Sequence, residues 1–110
     1  MTKAKDLVSL SKISQLILDV KLAGLHSAAK KRQHSLDLLA QINRPVPLND
    51  LSVVIAHQTE LRYQAWAELR RGEINLVLAR QTADLLAARE DAGQAFGRNQ
   101  AVNALKEKEH

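Results

Sequence analysis

The stretch Arg44-Pro45-Val46-Pro47 contains both prolines of this 110-residue chain. Proline has no backbone donor and disfavours helical backbone in the residue before it, so a stretch with two prolines ends a helix. Helix-compatible sequence runs almost unbroken on both sides. We therefore predict an all-α fold, in which two long helices form an antiparallel coiled-coil hairpin. The hairpin would be a single domain over residues 1–110, with a helix over 3–43, a corner over 44–49 and a helix over 50–107.

The composition is typical of a thin helical interface and not of an enzyme. The chain has one Phe, one Tyr and one Trp, and it lacks cysteine, which excludes disulfides and thiolate metal sites. The four histidines are scattered, and the sequence contains no glycine-rich phosphate loop or nucleophile motif. We expect a non-enzymatic protein with no metal site and no cofactor.

Charge is distributed unevenly along the chain. Residues 1–44 hold eight Lys and Arg against three acids, whereas residues 45–110 hold eight against nine. The basic first helix suits an acidic partner or nucleic acid, although opposite biases also help two helices to pair. Nucleic acid is the weaker interpretation, because the basic cluster Lys30-Lys31-Arg32 is short and aromatics for base stacking are scarce.

The apolar stretches are too short to cross a bilayer, and the N-terminus does not follow the pattern of a signal peptide. We therefore expect a cytoplasmic protein with no membrane span.

Two apolar ridges run along the first helix. One follows heptad spacing and is predicted to pack against the second helix; it consists of Leu10, Ile13, Ile17, Val20 and Leu38. The other widens the apolar face and suits an outside partner; it consists of Leu18, Leu22, Leu25, Ala29, Leu36 and Leu39. On the second helix, which we expect Asn49 to cap, the predicted interface residues are Leu51, Ile55, Leu69, Leu76, Ala79, Ala83 and Leu86.

Folding the chain about residue 46 places residue i of the first helix opposite the residue near 92 − i of the second. This rule predicts that Tyr63 and Trp66 pack against the small side chains around Gly24, with Trp66 buried. It leaves the tail after Ala92 without a partner in the chain, so the tail either frays or is held by another protein, and we expect it to be the partner-binding element. The candidate contacts are Phe96, Arg98 and Leu105 in the tail, and the basic pair Arg70 and Arg71.

The second helix contains the segment Ala88-Arg89-Glu90-Asp91-Ala92-Gly93-Gln94-Ala95-Phe96-Gly97-Arg98, which leads to Ala104-Leu105. With its single corner and its long helix rich in alanine and arginine, the chain resembles the small two-helix stalk proteins of flagellar and related type III export machines, FliJ and YscO. The resemblance implies a non-enzymatic stalk or escort protein of flagellar biogenesis or type III secretion. Its implied partners are the export ATPase ring and the export chaperones or the export gate.

The resemblance also implies a protein that is monomeric when isolated. A generic coiled-coil adaptor or a homodimer is the alternative from a different functional class, in which the tail pairs with a second copy of the chain.

Overall fold

The computed structural model describes residues 2–44 and 52–109, which form two helices, α1 (Thr2–Ile42) and α2 (Val53–Lys108). This architecture confirms the predicted all-α fold with two long helices. α1 extends over nearly the range that the sequence predicts, while α2 begins three residues later than predicted. The predicted cap, Asn49, lies outside the described residues.

At one end of each helix, a side-chain hydroxyl forms a hydrogen bond with a backbone group. The Ser52 hydroxyl accepts a hydrogen bond from the backbone N–H of Ile55 at 3.3 Å, and the Ser52 carbonyl accepts one from Ala56 at 2.8 Å. Serine is a preferred N-cap because its hydroxyl serves an amide that has no intrahelical partner. At the end of α1, the Ile42 carbonyl accepts a hydrogen bond from the Tyr63 hydroxyl at 2.7 Å.

The chain divides into two compact units, and in each of them α1 runs antiparallel to α2. We call Met1–Lys30 with Ala83–His110 the terminal unit, and Lys31–Thr82 the central unit. The central unit has an apolar core of Ile42, Ala67 and Ile74, against which Leu38, Leu39 and Tyr63 pack.

The terminal unit combines small apolar and polar side chains at its interhelical contact. Leu18 of α1 is buried, as are Ala92 and Ala95 of α2. The Ser11 hydroxyl is 2.8 Å from Oδ1 of Asn103, and the Ser14 hydroxyl is 2.8 Å from Oδ1 of Asn99, which is itself buried. The Asn99 amide donates to Oε1 of Gln15 at 3.3 Å. Short side chains let the two helices approach closely, and the hydrogen bonds satisfy the polar groups that this approach buries.

The predicted register is wrong. The 92 − i rule places residues 81 and 78 opposite Ser11 and Ser14, whereas their partners are Asn103 and Asn99. The shift is about 21 residues, or roughly six helical turns. The tail after Ala92 is therefore paired with α1, and the prediction that it has no partner in the chain is wrong as well.

The two ridges of α1 depart in part from their predicted roles. Leu38 of the first ridge packs on the central-unit core as predicted, and Leu22 of the second ridge is exposed. The residues of the first ridge from Leu10 to Val20 are between 44% and 69% exposed, although they were expected at the interface. Leu18 of the second ridge is only 5% exposed, and Leu25, Leu36 and Leu39 are half-buried. The predicted interface of α2 is likewise wrong at the residues that remain exposed, namely Ile55, Leu69, Leu76, Ala79, Ala83 and Leu86. Leu51 lies outside the described residues.

Trp66 is not buried. Its side chain is 53% exposed and its ring lies 5.8 Å from that of Tyr63, centroid to centroid, with 40° between the planes. A Cβ added at Gly24 would meet no atom within 4 Å, so the predicted packing of Trp66 against Gly24 is wrong. Tyr63 instead packs on the central-unit core.

Candidate partner-binding surfaces

An apolar stripe faces outward on α1 in the terminal unit. We call Leu10, Ile13, Ile17 and Val20 the outer stripe; their spacing of three, four and three places them on one side of the helix. Leu16 lies beside the stripe, and an open groove of about 280 Å³ is lined by Leu16, Ile17, Val20 and Lys21. A contiguous apolar surface of this kind is a candidate interaction site.

The three tail candidates lie on a helix that the terminal unit holds in place. Phe96 is 51% exposed, Leu105 is 54% exposed and Arg98 is also exposed. The face of α2 that contains Ala92, Ala95 and Asn99 is buried against α1. Phe96 is therefore presented by a packed helix and not by a frayed tail.

The tail candidates occupy two flanks of α2. Arg98 and Leu105 are seven residues apart and share one flank with Asp91, whereas Phe96 shares the other flank with Asn103. The Asp91 carboxylate lies 3.9 Å from Nζ of Lys21, which lines the groove of the outer stripe. The flank with Arg98 and Leu105 therefore borders the outer stripe, and Phe96 lies on the opposite flank.

Arg70 and Arg71 belong to the central unit and already have partners in the chain. Nη1 of Arg70 lies 3.1 Å from Oε2 of Glu73, and Nε of Arg71 donates to Oδ1 of Asn43 at 3.0 Å. Both arginines are half-buried. Their charges are thus less available to an outside partner than that of the exposed Arg98.

The short basic cluster of α1 is partly used within the central unit. Nε of Arg32 donates to Oγ1 of Thr82 at 3.1 Å, and the Thr82 hydroxyl donates to the Leu78 carbonyl at 2.8 Å. Of the three cluster residues, Lys30 and Lys31 remain exposed. The basic surface that remains exposed is therefore small.

Residues 2–44 and 52–109 contain no group of three or more His, Cys, Asp and Glu side chains that could hold a metal ion. Neither helix, over the same residues, contains a segment long and apolar enough to span a bilayer.

Sequence reasoning missed the outer stripe as a binding surface because it assigned those residues to the interface between the helices. A signal for the correct assignment was present in the polar residues. Ser11 and Ser14 on α1, and Asn99 and Asn103 on α2, have the heptad-like spacing of interface residues and complementary hydrogen-bonding groups.

In comparisons with known proteins, no family model, no curated protein and no solved structure matches this chain.

Proposed function

We propose that this chain is a non-enzymatic coiled-coil protein that binds other proteins through its helix faces, as a stalk or escort protein of a flagellar or type III export apparatus. Its partners in this role are the export ATPase ring and the export chaperones or export gate. Two features support the proposal: the fold of two long helices, and the resemblance of Ala88–Arg98 to export stalk proteins.

The observation that carries the proposal is the exposure of Phe96. This side chain is the only phenylalanine of the chain, it is 51% exposed, and it lies within the segment that resembles the stalk proteins. A large aromatic side chain on a rigid helix is a typical anchor of a protein interface, because it buries much area and loses little conformational freedom. Phe96 is the anchor in this proposal, and Arg98 and Leu105 contact the partner from the opposite flank.

The test is capture of the export ATPase from the same organism by the purified, full-length chain. We expect Phe96→Ala to weaken capture by about tenfold or more. Leu76→Ala is the matched control, since it truncates a similarly exposed side chain of α2 in the other unit and should leave capture unchanged. Capture of the Phe96→Ala variant at the wild-type level would contradict the proposed anchor. Failure of the wild-type chain to bind the ATPase would favour the generic adaptor.

A further inference from the structure

A polar cavity opens in the central unit where α1 ends beside α2. Its volume is about 290 Å³, and six of its seven lining residues carry a polar or charged side chain. We infer that this cavity binds a carboxylate group, supplied either by an acidic side chain of a partner protein or by a free small acid. None of its residues belongs to the outer stripe or to the tail candidates.

Two arginines give the cavity its positive charge. Arg71 lines it from α2, and Arg44 lines it from just after the end of α1. Over residues 2–44 and 52–109, neither guanidinium forms an ion pair. Arginines that line a cavity without an acidic partner can form charge-assisted hydrogen bonds with an anion that enters it.

Asn43 fixes the orientation of Arg71 at the wall of the cavity. Its Oδ1 accepts the hydrogen bond from Nε of Arg71 at 3.0 Å, and both residues line the cavity. The terminal nitrogens of Arg71 form no hydrogen bond with any residue that the structure describes. Two such nitrogens match the two oxygens of a carboxylate. Because Arg71 is half-buried, it can reach only a group small enough to enter the cavity.

The core of the central unit holds another wall of the cavity. The Tyr63 hydroxyl donates to the Ile42 carbonyl at 2.7 Å, and both residues line the cavity. Ile42 belongs to the apolar core, and Tyr63 packs on it. The end of α1 is thus tied to α2 before any ligand binds, and a preformed site loses less conformational freedom on binding.

The charge of the cavity favours a carboxylate over a phosphate. Glu60 is the one acidic residue that lines it, and its Oε1 accepts a hydrogen bond from the Gln64 amide at 3.0 Å. Two arginines and one glutamate leave one formal positive charge, which the carbonyl end of α1 lowers by up to about half a charge. A carboxylate has one negative charge and balances this site, whereas a phosphate group with about two would leave an excess.

The first test is titration of the full chain with sodium acetate, followed by nuclear magnetic resonance of the Nε–H group of Arg71. Sodium chloride at the same ionic strength is the reference. We expect a shift that saturates at millimolar acetate, and about tenfold weaker binding by Arg44→Gln. Arg98→Gln removes an exposed arginine of the terminal unit and should bind as the wild type does. A shift that never saturates, that chloride reproduces or that Arg44→Gln leaves unchanged would overturn the inference.

The second test addresses the fork of Arg71 and the charge of the cavity, with the backbone amide of Asn43 as the reporter. Arg71→Lys keeps the charge but loses the paired nitrogens, so acetate should bind about tenfold more weakly. Glu60→Gln removes a like charge and can still accept from Gln64, so acetate should bind roughly threefold more tightly. Inorganic phosphate should bind the wild type more weakly than acetate does. Phosphate that binds as tightly as acetate would overturn the assignment to a carboxylate.

A peptide with blocked termini and a single glutamate distinguishes the two sources of the carboxylate. Tighter binding than that of acetate would assign the site to an acidic side chain of a partner protein, and binding no tighter than that of acetate would assign it to a free small acid. Phe96→Ala should bind acetate as the wild type does, so the cavity and the proposed anchor can fail separately. A peptide that binds equally well with glutamine in place of glutamate would contradict recognition of a carboxylate.

Discussion

The two units of this chain hold the same two helices together by different means. In the central unit, Ile42, Ala67 and Ile74 form an apolar core, and Tyr63 packs on it. In the terminal unit, polar pairs such as Ser14 with Asn99 lie between the helices, while the larger apolar side chains of α1 face outward. Both units leave large apolar side chains exposed, among them Leu69 and Leu76 in the central unit. The difference lies at the contact between the helices, where the central unit has the bulkier apolar core.

The two kinds of contact contribute differently to the free energy of folding and to the register of the helices. Apolar burial supplies most of the free energy of folding and tolerates shifts along the helix, because one leucine packs nearly as well as the next. A buried hydrogen-bonded pair contributes less net stability, but a shifted register would leave its groups without partners. We therefore expect the terminal unit to determine the alignment of its helices chiefly through its Ser and Asn pairs.

The largest expected effect comes from deleting residues 92–110. The deletion removes Ala92 and Ala95, which are buried in the terminal unit, and Asn99, the hydrogen-bond partner of Ser14. Because a single helix of this kind is marginal in water, residues 2–30 should lose their helical structure, as measured by amide hydrogen exchange. Deletion of residues 107–110 alone is the control and should preserve protection. A truncated chain that still protects the amide of Leu18 would show that the described register is wrong.

The next effect concerns the apolar core of the central unit. Ile74→Ala should lower the free energy of unfolding by about 2–3 kcal/mol, because it leaves a cavity beside Ile42 and Ala67. Leu76→Ala, at an exposed position two residues further on, should change it by less than about 0.5 kcal/mol. Chemical denaturation measures both values, and equal losses would mean that the core is not where the structure places it.

A smaller effect is expected for the polar pairs of the terminal unit. Asn99→Ala should cost about 1 kcal/mol, since it removes the hydrogen bonds with Ser14 and Gln15. The Ser14→Ala/Asn99→Ala double variant should cost less than the sum of the two single variants, because both remove the same bond. Denaturation of the four proteins completes the cycle, and strictly additive losses would indicate that the bond contributes nothing.

The smallest effect is expected at Trp66. Trp66→Ala should cost less than about 1 kcal/mol, because the side chain is half exposed and therefore buries little area. A buried tryptophan at the same position would cost about 3 kcal/mol. Thermal melting followed by circular dichroism distinguishes the two values, with Leu61→Ala as a comparison at another exposed side chain of the central unit.

Local signals in the sequence were sufficient to predict the helices, but not how they pair. Pro45 and Pro47 predicted two long helices because proline acts on its immediate neighbours. The register depends on which residues meet across the chain, and α1 has two apolar ridges that satisfy the same periodicity. Apolar spacing favoured the ridge of Leu10 and Ile13, whereas α1 of the terminal unit pairs through Leu18 together with small and polar residues, including Ser11.

The candidate site was predictable only in part for the same reason. Phe96 and Leu105 stood out as apolar residues near the end of a helix, and both are half exposed. Phe96 and Leu105 lie on opposite flanks of α2 because they are nine residues apart. The outer stripe was not recognisable as a surface until the register was known, because exposure depends on which face of α1 the second helix covers.

The position of Tyr63 and Trp66 has a consequence for how unfolding of this protein can be observed. They are the only tyrosine and the only tryptophan of the chain, and both lie in the central unit. Intrinsic fluorescence therefore reports on the central unit alone, while far-ultraviolet circular dichroism reports on helix throughout the chain. If the two signals change together on heating, the helices melt in one cooperative step; if they separate, the terminal unit opens on its own.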